Sequence, residues 1–233
     1  MTMISDNLQR VQARIKAACA AAGRDPASVA LLAVSKTFGA EAVKQAFEAG
    51  QRAFGENYVQ EGVEKIQRLR QWGHESAIQW HMIGPIQSNK TRLVAEHFDW
   101  VHSVDRLKTA ERLSEQRPAH LPPLQICLQV NIDGGPNKSG VSPDELAPLA
   151  LQVAALPRLQ LRGLMGIPEV APDFIASCAV FSRLGALFDS MKLAHHGVDT
   201  LSMGMSTDLE AAVQSGSTMV RVGTAIFGSR TAA

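Results

Sequence analysis

The chain has 233 residues, of which 45% are hydrophobic, and 23 basic against 22 acidic residues leave a formal net charge of +1. This balance argues against nucleic acid or an anionic membrane as a partner, and three Trp and one Tyr offer few rings for base stacking. Cys19, Cys127 and Cys178 are too scattered for a disulfide framework or a metal knuckle. The polar N-terminus lacks a signal-peptide core, and we expect no later stretch to approach the length and apolar character of a membrane span, so we predict a cytoplasmic protein.

The first predicted element is a helix over about residues 4–22. Ser5 or Asp6 is expected to cap it, and Gly23 supplies a stop. Its apolar positions recur at helical spacing: Ile4, Leu8, Val11 and Ile15.

Short apolar runs then alternate with amphipathic segments to the end of the chain. The predicted strands cover residues 29–36, 53–58, 78–84, 100–105, 124–132, 159–167, 200–205 and 219–227. The predicted helices between them cover residues 41–49, 61–71, 90–97, 107–116, 144–156, 173–193 and 208–215. The helix near residue 144 has a capping-box start, with Ser142 and Glu145 three residues apart.

Regular alternation of strands and helices predicts parallel strands joined by right-handed crossovers. Eight such units in this length favour a closed (β/α)₈ (TIM) barrel over an open doubly wound sheet, because such a barrel takes about 250 residues. No linker or change in composition divides the chain. We therefore predict an α/β protein with one domain over residues 1–233, in which an extra N-terminal helix precedes a barrel over about residues 29–230.

Lys36 closes the first apolar strand, at the carboxyl end where α/β folds bind their ligands. An amine against an apolar wall loses hydration, its pKa falls, and the neutral form attacks aldehydes. The alternative is a lysine that extends from the strand end into water.

The loops after strands seven and eight predict an anion site. Ser206 and Thr207 are expected at the N-terminal turn of the helix over residues 208–215, where free N–H groups favour an anion. Gly223 permits close approach of the backbone, and Thr224 offers a hydroxyl and an N–H. The alternative is that Ser206 is only a helix cap and Gly223 only a packing residue.

Arg221 interrupts the apolar eighth strand with a charge that cannot be lost by deprotonation. It requires an acceptor, and an internal ion pair with Glu56 or Asp105 is the alternative to a ligand. An amine on strand one, an anion cradle after strands seven and eight and a cation on strand eight together suit pyridoxal 5′-phosphate (PLP), which has an aldehyde, a phosphate and a ring nitrogen.

Five segments also resemble a known family. LAVSKT (32–37), FGENYVQE (54–61), WHMIGPIQSNK (80–90), LSMGMS (201–206) and MVRVGTAIFG (219–228) are similar to the signatures of the pyridoxal phosphate homeostasis protein family. The resemblance implies a fold like the N-terminal barrel of alanine racemase, with Lys36 as the Schiff-base lysine and Arg221 at the pyridine nitrogen. It places Asn57 near the ring. The residues implied to hold the phosphate are Ser206, Gly223 and Thr224.

The resemblance implies a protein that buffers or delivers PLP, with PLP-dependent apo-enzymes as possible recipients, and that regulates vitamin B6 and amino-acid pools. The alternative is an amino-acid racemase, which needs a base on each face of the substrate. Alanine racemases bring the second, a tyrosine, from another domain of a partner subunit, whereas the one tyrosine here is Tyr58. We predict a non-catalytic carrier and, without that second domain, a monomer.

Two further side chains have open roles. Lys138 places a second amine on the active face, either solvated or involved in moving the cofactor. His81, near the barrel mouth, is either a hydrogen-bonded core residue or a ligand contact. The spacing of the seven histidines does not predict a metal site.

Overall fold

A computed structural model describes residues 2–73, 77–135 and 138–228 of the chain. Its eight parallel strands close into a barrel in chain order, with β8 paired to β1. This closure confirms the predicted (β/α)₈ barrel. The strands are β1 Ala30–Val34, β2 Ala53–Glu56, β3 Gln79–Met82, β4 Trp100–Val104, β5 Leu124–Val130, β6 Leu159–Gly166, β7 Thr200–Ser202 and β8 Met219–Val222.

Helices connect the strands and surround the barrel. They are α1 Met3–Ala21, α2 Ala40–Glu48, α3 Val59–Gln71, α4 Thr91–His97, α5 Leu107–Gln116, α6 Pro143–Ala154, α7 Phe174–Ala194, α8 Leu209–Gln214 and α9 Thr224–Phe227. Only the single turn α9 follows β8 in the described part of the chain. Because α1 packs against α8, α9 and α2, it occupies the position in the outer ring that a long helix after β8 would take.

The burial pattern explains why these segments adopt their structures. All five residues of β4 are buried, as expected of a strand between a barrel interior and an outer helix layer. In α3 the buried residues Val59, Val63, Ile66 and Leu69 recur every three or four positions, so one face of the helix packs on the barrel. The core therefore has two layers, one inside the barrel and one between strands and helices.

Three details near element ends differ from or confirm the sequence predictions. Strand eight ends at Val222 instead of residue 227, since Gly223 (φ −114°, ψ −75°) leaves the extended conformation and begins α9. The cap of α1 is Thr2, whose side chain accepts from the Ser5 N–H, and not Ser5 or Asp6. The Ser142 capping box is present at the start of α6.

Helix α7 is long and apolar enough to cross a membrane, judged by length and composition alone, so the prediction that no such stretch follows the N-terminus was wrong. It is the one such helix in the described residues. Four of its side chains are buried against the rest of the protein: Phe181, Leu184, Phe188 and Met191. Their spacing shows that one face of α7 packs as an outer helix of the barrel.

Candidate functional site

Lys36 lies two residues beyond β1, at the barrel mouth, which is the end where the strands' carboxyl ends meet. Asn57 follows β2, the strand that pairs with β1 up to Val34 and Gly55, so Lys36 and Asn57 lie beyond the ends of neighbouring strands. Its side chain is half-buried, in contrast to the fully buried Ser35 before it. The structure therefore places Lys36 and Asn57 at the same end of the barrel, after adjacent strands.

A buried lysine, Lys65 of α3, holds the chain on both sides of Lys36. Its Nζ donates to the Ser35 carbonyl oxygen at 2.7 Å, to Glu56 Oε1 at 2.8 Å and to Glu61 Oε1 at 2.6 Å. Glu61 Oε1 also accepts from the Thr37 N–H. Thr37 has φ +67°, a conformation that a non-glycine residue keeps only when its surroundings fix it. The cluster of Lys65, Glu56 and Glu61 thus fixes the backbone that carries Lys36.

Glu56 is the member of this cluster whose hydrogen-bonding capacity is not fully satisfied. Its side chain is fully buried, and Oε2 has no hydrogen-bond partner among the described residues. Burial raises the pKa of Glu56, although the Lys65 charge and the hydrogen bonds from Lys65 and Ser35 act in the opposite direction. Lys65 thus opposes part of the cost of burying the Glu56 carboxylate, which makes Lys65 important for stability.

Arg221 lies inside the barrel and is almost completely buried. One terminal nitrogen donates to both the backbone oxygen and the Oγ of Ser202 at 2.7 Å, and the other donates to the Gly166 carbonyl at 2.9 Å. The alternative of an ion pair with Glu56 or Asp105 was wrong. Glu56 pairs with Lys65 instead, and Asp105 pairs with Arg106.

The Arg221 charge is therefore held by neutral acceptors. Burial lowers the pKa of Arg221 to about 10, with the Asp208 carboxylate acting in the opposite direction. The guanidinium stays protonated at neutral pH, and a buried cation without a carboxylate in contact favours an electron-rich ligand atom.

Two buried histidines, His102 and His81, continue the hydrogen-bonded chain that begins with Arg221 and Ser202 across the barrel. Ser202 Oγ lies 3.0 Å from His102 Nδ1, and His102 Nε2 lies 2.9 Å from His81 Nδ1. His81 stacks on Trp100, with ring centroids 5.2 Å apart. These contacts make His81 a core residue that supports Arg221 through His102 and Ser202, which favours the core interpretation of the two considered above.

Both histidines are held neutral. Burial lowers the pKa of His81 to about 3, and burial, the neighbouring imidazole and Arg221 lower the pKa of His102 well below its usual value. A folded-state pKa below the unfolded value gives stability that is present above about pH 6.5 and is lost as the pH falls.

We expect the free energy of unfolding to decrease below pH 6.5 with a slope approaching two protons, about 2.7 kcal/mol per pH unit. Proton NMR should show the imidazole resonances of His81 and His102 unchanged between about pH 5 and pH 8. Titration of either resonance in that interval would contradict the neutral pair.

Ser206 lies in the turn that precedes α8, since Asp208 is the N-cap and the helix begins at Leu209. The Asp208 carboxylate accepts from the Met205 N–H and closes this turn. Gly204, with φ +91°, allows the turn, since a Cβ there would lie 2.3 Å from the Ala212 Cβ. Ser206 is half-buried at the end of β7, on the same face as Lys36.

Gly223 joins the two parts of the site. A Cβ at this position would lie 3.0 Å from the Val34 backbone oxygen, so the glycine lets the end of β8 lie tightly against the end of β1. Thr224 follows as the exposed first residue of α9. The structure thus places Gly223 and Thr224 next to the strand that leads to Lys36.

Helix α1 makes hydrogen bonds to the Ser206 turn after β7 and to helix α9 after β8. Asn7 Nδ2 donates to the Ile226 carbonyl at 3.0 Å, which holds α9. Arg14 donates to the Ser206 carbonyl at 3.2 Å and makes a bidentate contact with Glu210 on α8. The sequence identified α1 as a helix but gave it no role at the site.

Asn57 has a side-chain oxygen, Oδ1, that is buried without a donor among the described residues. Its backbone touches Gly84, where a Cβ would lie 2.2 Å from the Asn57 carbonyl oxygen. Lys138 lies elsewhere on the mouth, paired with Asp133 and Glu169. Within the described ranges, no group of three or more His, Cys, Asp or Glu residues is placed to hold a metal ion.

The fold and the site define a barrel of the alanine racemase N-terminal type. The sequence model of the protein family described as alanine racemase, N-terminal domain, matches residues 7–231. A relative from Pseudomonas aeruginosa named pyridoxal phosphate homeostasis protein is 58% identical over 230 residues, which cover 99% of this chain and 97% of the relative. The chain belongs to the pyridoxal phosphate homeostasis protein family.

Two solved structures place the fold among its relatives. PipY of Synechococcus elongatus PCC7942, with PLP bound, is 36% identical with a TM-score of 0.82, and the match covers 97% of this chain and all of PipY. Alanine racemase from Corynebacterium glutamicum is 20% identical with a TM-score of 0.65, and the match covers 96% of this chain but 60% of the racemase. The second likeness shows the shared barrel alone.

Proposed function

We propose that this protein binds PLP reversibly through Lys36 and buffers the cofactor or delivers it to other proteins. The proposal is supported by the names of its relatives and by PLP in the PipY structure. The structural observation that supports it most strongly is that Lys36 follows β1, whose two neighbours are β2, which leads to Asn57, and β8, which leads to Gly223 and carries a buried Arg221 bonded to neutral acceptors.

The residues present fit the chemistry of PLP. Its aldehyde condenses reversibly with a primary amine, which is the chemistry that the cofactor supplies when bound. Lys36 provides the amine, and Arg221 provides a fixed cation for the ring nitrogen. The residues proposed to hold the phosphate are Ser206, Gly223 and Thr224.

We favour a carrier over an amino-acid racemase. Racemisation needs a second acid or base opposite Lys36. Tyr58, the one tyrosine of the chain, is 57% exposed and follows β2 on the barrel itself. The match to alanine racemase covers 60% of that enzyme, so the barrel corresponds to only part of it.

The remaining features of the proposal concern the cellular setting. We place the protein in the cytoplasm as a single-domain monomer over residues 1–233, with PLP-dependent apo-enzymes as recipients of the cofactor. The resemblance of the whole chain to bacterial relatives supports a soluble barrel.

Titration of the purified protein with PLP tests the proposal. We expect a new absorbance band at longer wavelength than that of free PLP, saturating at one PLP per chain and fixed by borohydride reduction. Pyridoxal, which lacks the phosphate, should bind more weakly. A spectrum that equals the sum of protein and free PLP would refute the proposed function.

Arg14→Ala tests the contribution of α1. Without its hydrogen bond to the Ser206 carbonyl, the turn that is proposed to hold the phosphate should loosen. We therefore expect PLP affinity to fall about threefold to tenfold while pyridoxal affinity is unchanged. Arg10→Ala is the matched control, since Arg10 lies on the same helix and bonds only Asn7 in the described structure. Equal losses for PLP and pyridoxal would show that Arg14 does not act through the phosphate.

A further inference from the structure

A second cavity, of about 670 Å³, opens at the barrel mouth beside Asn57. It lies where β2, β3 and β4 end, on the opposite side of Lys36 from the Ser206 and Gly223 turns. Its lining includes Asn57, Tyr58, Pro85, Gln87, Lys90 and Arg106. Asn57 apart, the function proposed above assigns no role to these lining residues.

The wall of the cavity is firmly held. Ser103 Oγ donates to the Gly84 carbonyl at 2.6 Å, and Gly84 lies directly against the Asn57 backbone. The Lys90 N–H donates to the Gln87 carbonyl at 2.8 Å, which closes the turn that leads into α4. The segment between Gly84 and Lys90 is therefore preorganised, so ligand binding does not lose conformational entropy in ordering it.

The charges of the lining favour an anion. Lys90 and Arg106 both line the cavity, and no carboxylate is among the described lining residues. Lys90 is half-buried, and its amine has no ion pair among the described residues. Among the described residues Arg106 makes its ion pair with the neighbouring Asp105, at 3.5 Å, and its Nε also donates to Thr109 Oγ1 at 3.2 Å. Two cations at a cavity that no carboxylate lines suit a carboxylate ligand.

The position of the cavity favours a ligand that also has an amine. Asn57 contributes a side-chain oxygen that lacks a donor among the described residues, and it follows β2, the strand paired with the one that leads to Lys36. The proposed aldehyde at Lys36 reacts with primary amines. An α-amino acid has both groups: an amine that can be directed toward Lys36 and a carboxylate that can be directed toward the ends of β3 and β4.

We propose that the cavity between Asn57, Lys90 and Arg106 is a subsite for a free α-amino acid, with Lys90 and Arg106 binding its carboxylate. This inference rests on the proposed function, because it assigns the amino acid to the neighbourhood of the cofactor amine. It gives the protein a means of sensing amino-acid concentration at the site where PLP is held.

Binding to the cofactor-free protein tests the subsite without any activity of the loaded form. L-alanine and L-alaninol, which lacks the carboxylate, are titrated into ¹⁵N-labelled protein, and the amide shifts are followed by NMR. We expect L-alanine to shift amides near residues 57–58, 85–90 and 106, and to bind about tenfold more tightly than L-alaninol.

Lys90→Gln and Arg106→Gln should each weaken L-alanine binding about threefold, and together should abolish its advantage over L-alaninol. Arg92→Gln is the control, since Arg92 is exposed on α4 and pairs with Glu96. Equal binding of the two probes to the unaltered protein, or an unaltered preference in the double variant, would overturn the inference. Tighter binding of inorganic phosphate at the same amides would identify a phosphate site and also overturn it.

The two proposals fail in distinguishable ways. If the PLP absorbance band forms but L-alanine shifts no amides at this cavity, the amino-acid subsite is wrong and the carrier proposal stands. If no PLP band forms, the carrier proposal fails, whatever L-alanine does.

Discussion

Lys36→Ala is expected to abolish the absorbance band that forms with PLP and the adduct that borohydride fixes. The reason is chemical: Lys36 supplies the amine after β1, whereas the nearby Lys65 ammonium is buried and donates to the Ser35 carbonyl, Glu56 and Glu61. We expect the variant to fold normally, since Lys36 is half-buried and the bonds from Lys65 go to the backbone and side chains around it. Absorbance spectra and circular dichroism of the same samples provide both measurements.

Lys138→Ala is the matched control for Lys36→Ala. Lys138 also lies at the barrel mouth, but its amine is engaged by Asp133 and Glu169, between the loops that follow β5 and β6. The control should retain the band at full amplitude. A full band in Lys36→Ala, together with a loss in Lys138→Ala, would transfer the anchoring role to Lys138.

Lys65→Met is expected to have the largest effect on stability, about 3–5 kcal/mol in the free energy of unfolding. Removing the ammonium leaves the Glu56 carboxylate buried without its cation. It also removes the donor to the Ser35 carbonyl and to Glu61, the residue that accepts from the Thr37 N–H. Urea denaturation measures the loss. Lys44→Met is the control, because the exposed pair of Lys44 with Glu48 contributes less than about 1 kcal/mol.

The loss in Lys65→Met should depend on pH in a defined direction. Burial already raises the pKa of Glu56, and removal of the Lys65 charge takes away its main opposing influence. A folded-state pKa above the unfolded value means that stability is lost as the pH rises through the folded pKa. The variant should therefore be less destabilised at about pH 5 than at pH 8. Adding Glu56→Gln should restore much of the stability, and a pH-independent loss would refute this role of Glu56.

The sequence predicted the barrel because its signals are local. Buried parallel strands have continuous apolar runs, and charged residues within such runs are conspicuous, which is how Lys36 and Arg221 were identified. Strand ends were less accurate, as for β8. Glycine at position 223 is compatible with both a strand and a turn, and only its contact with Val34 determines which one forms.

The supporting contacts could not be predicted in the same way. Lys65 is 30 residues from Ser35, and His102 is 100 residues from Ser202, so barrel closure alone brings each pair together. Glu61 and Lys65 are four residues apart on α3, a spacing at which helical side chains can pair, but the spacing carries no information about the burial of Lys65. The wrong partner for Arg221 has the same origin, since β6 and β7 supply its neutral acceptors through their backbone and Ser202.

A crystal structure of the protein with PLP tests the central claim most directly. We expect electron density that is continuous from Lys36 Nζ to the cofactor. The phosphate should lie between the Ser206 turn and Thr224, and the Arg221 guanidinium should lie within hydrogen-bonding distance of the ring nitrogen. A cofactor bound through another lysine, or a ring nitrogen directed away from Arg221, would contradict it.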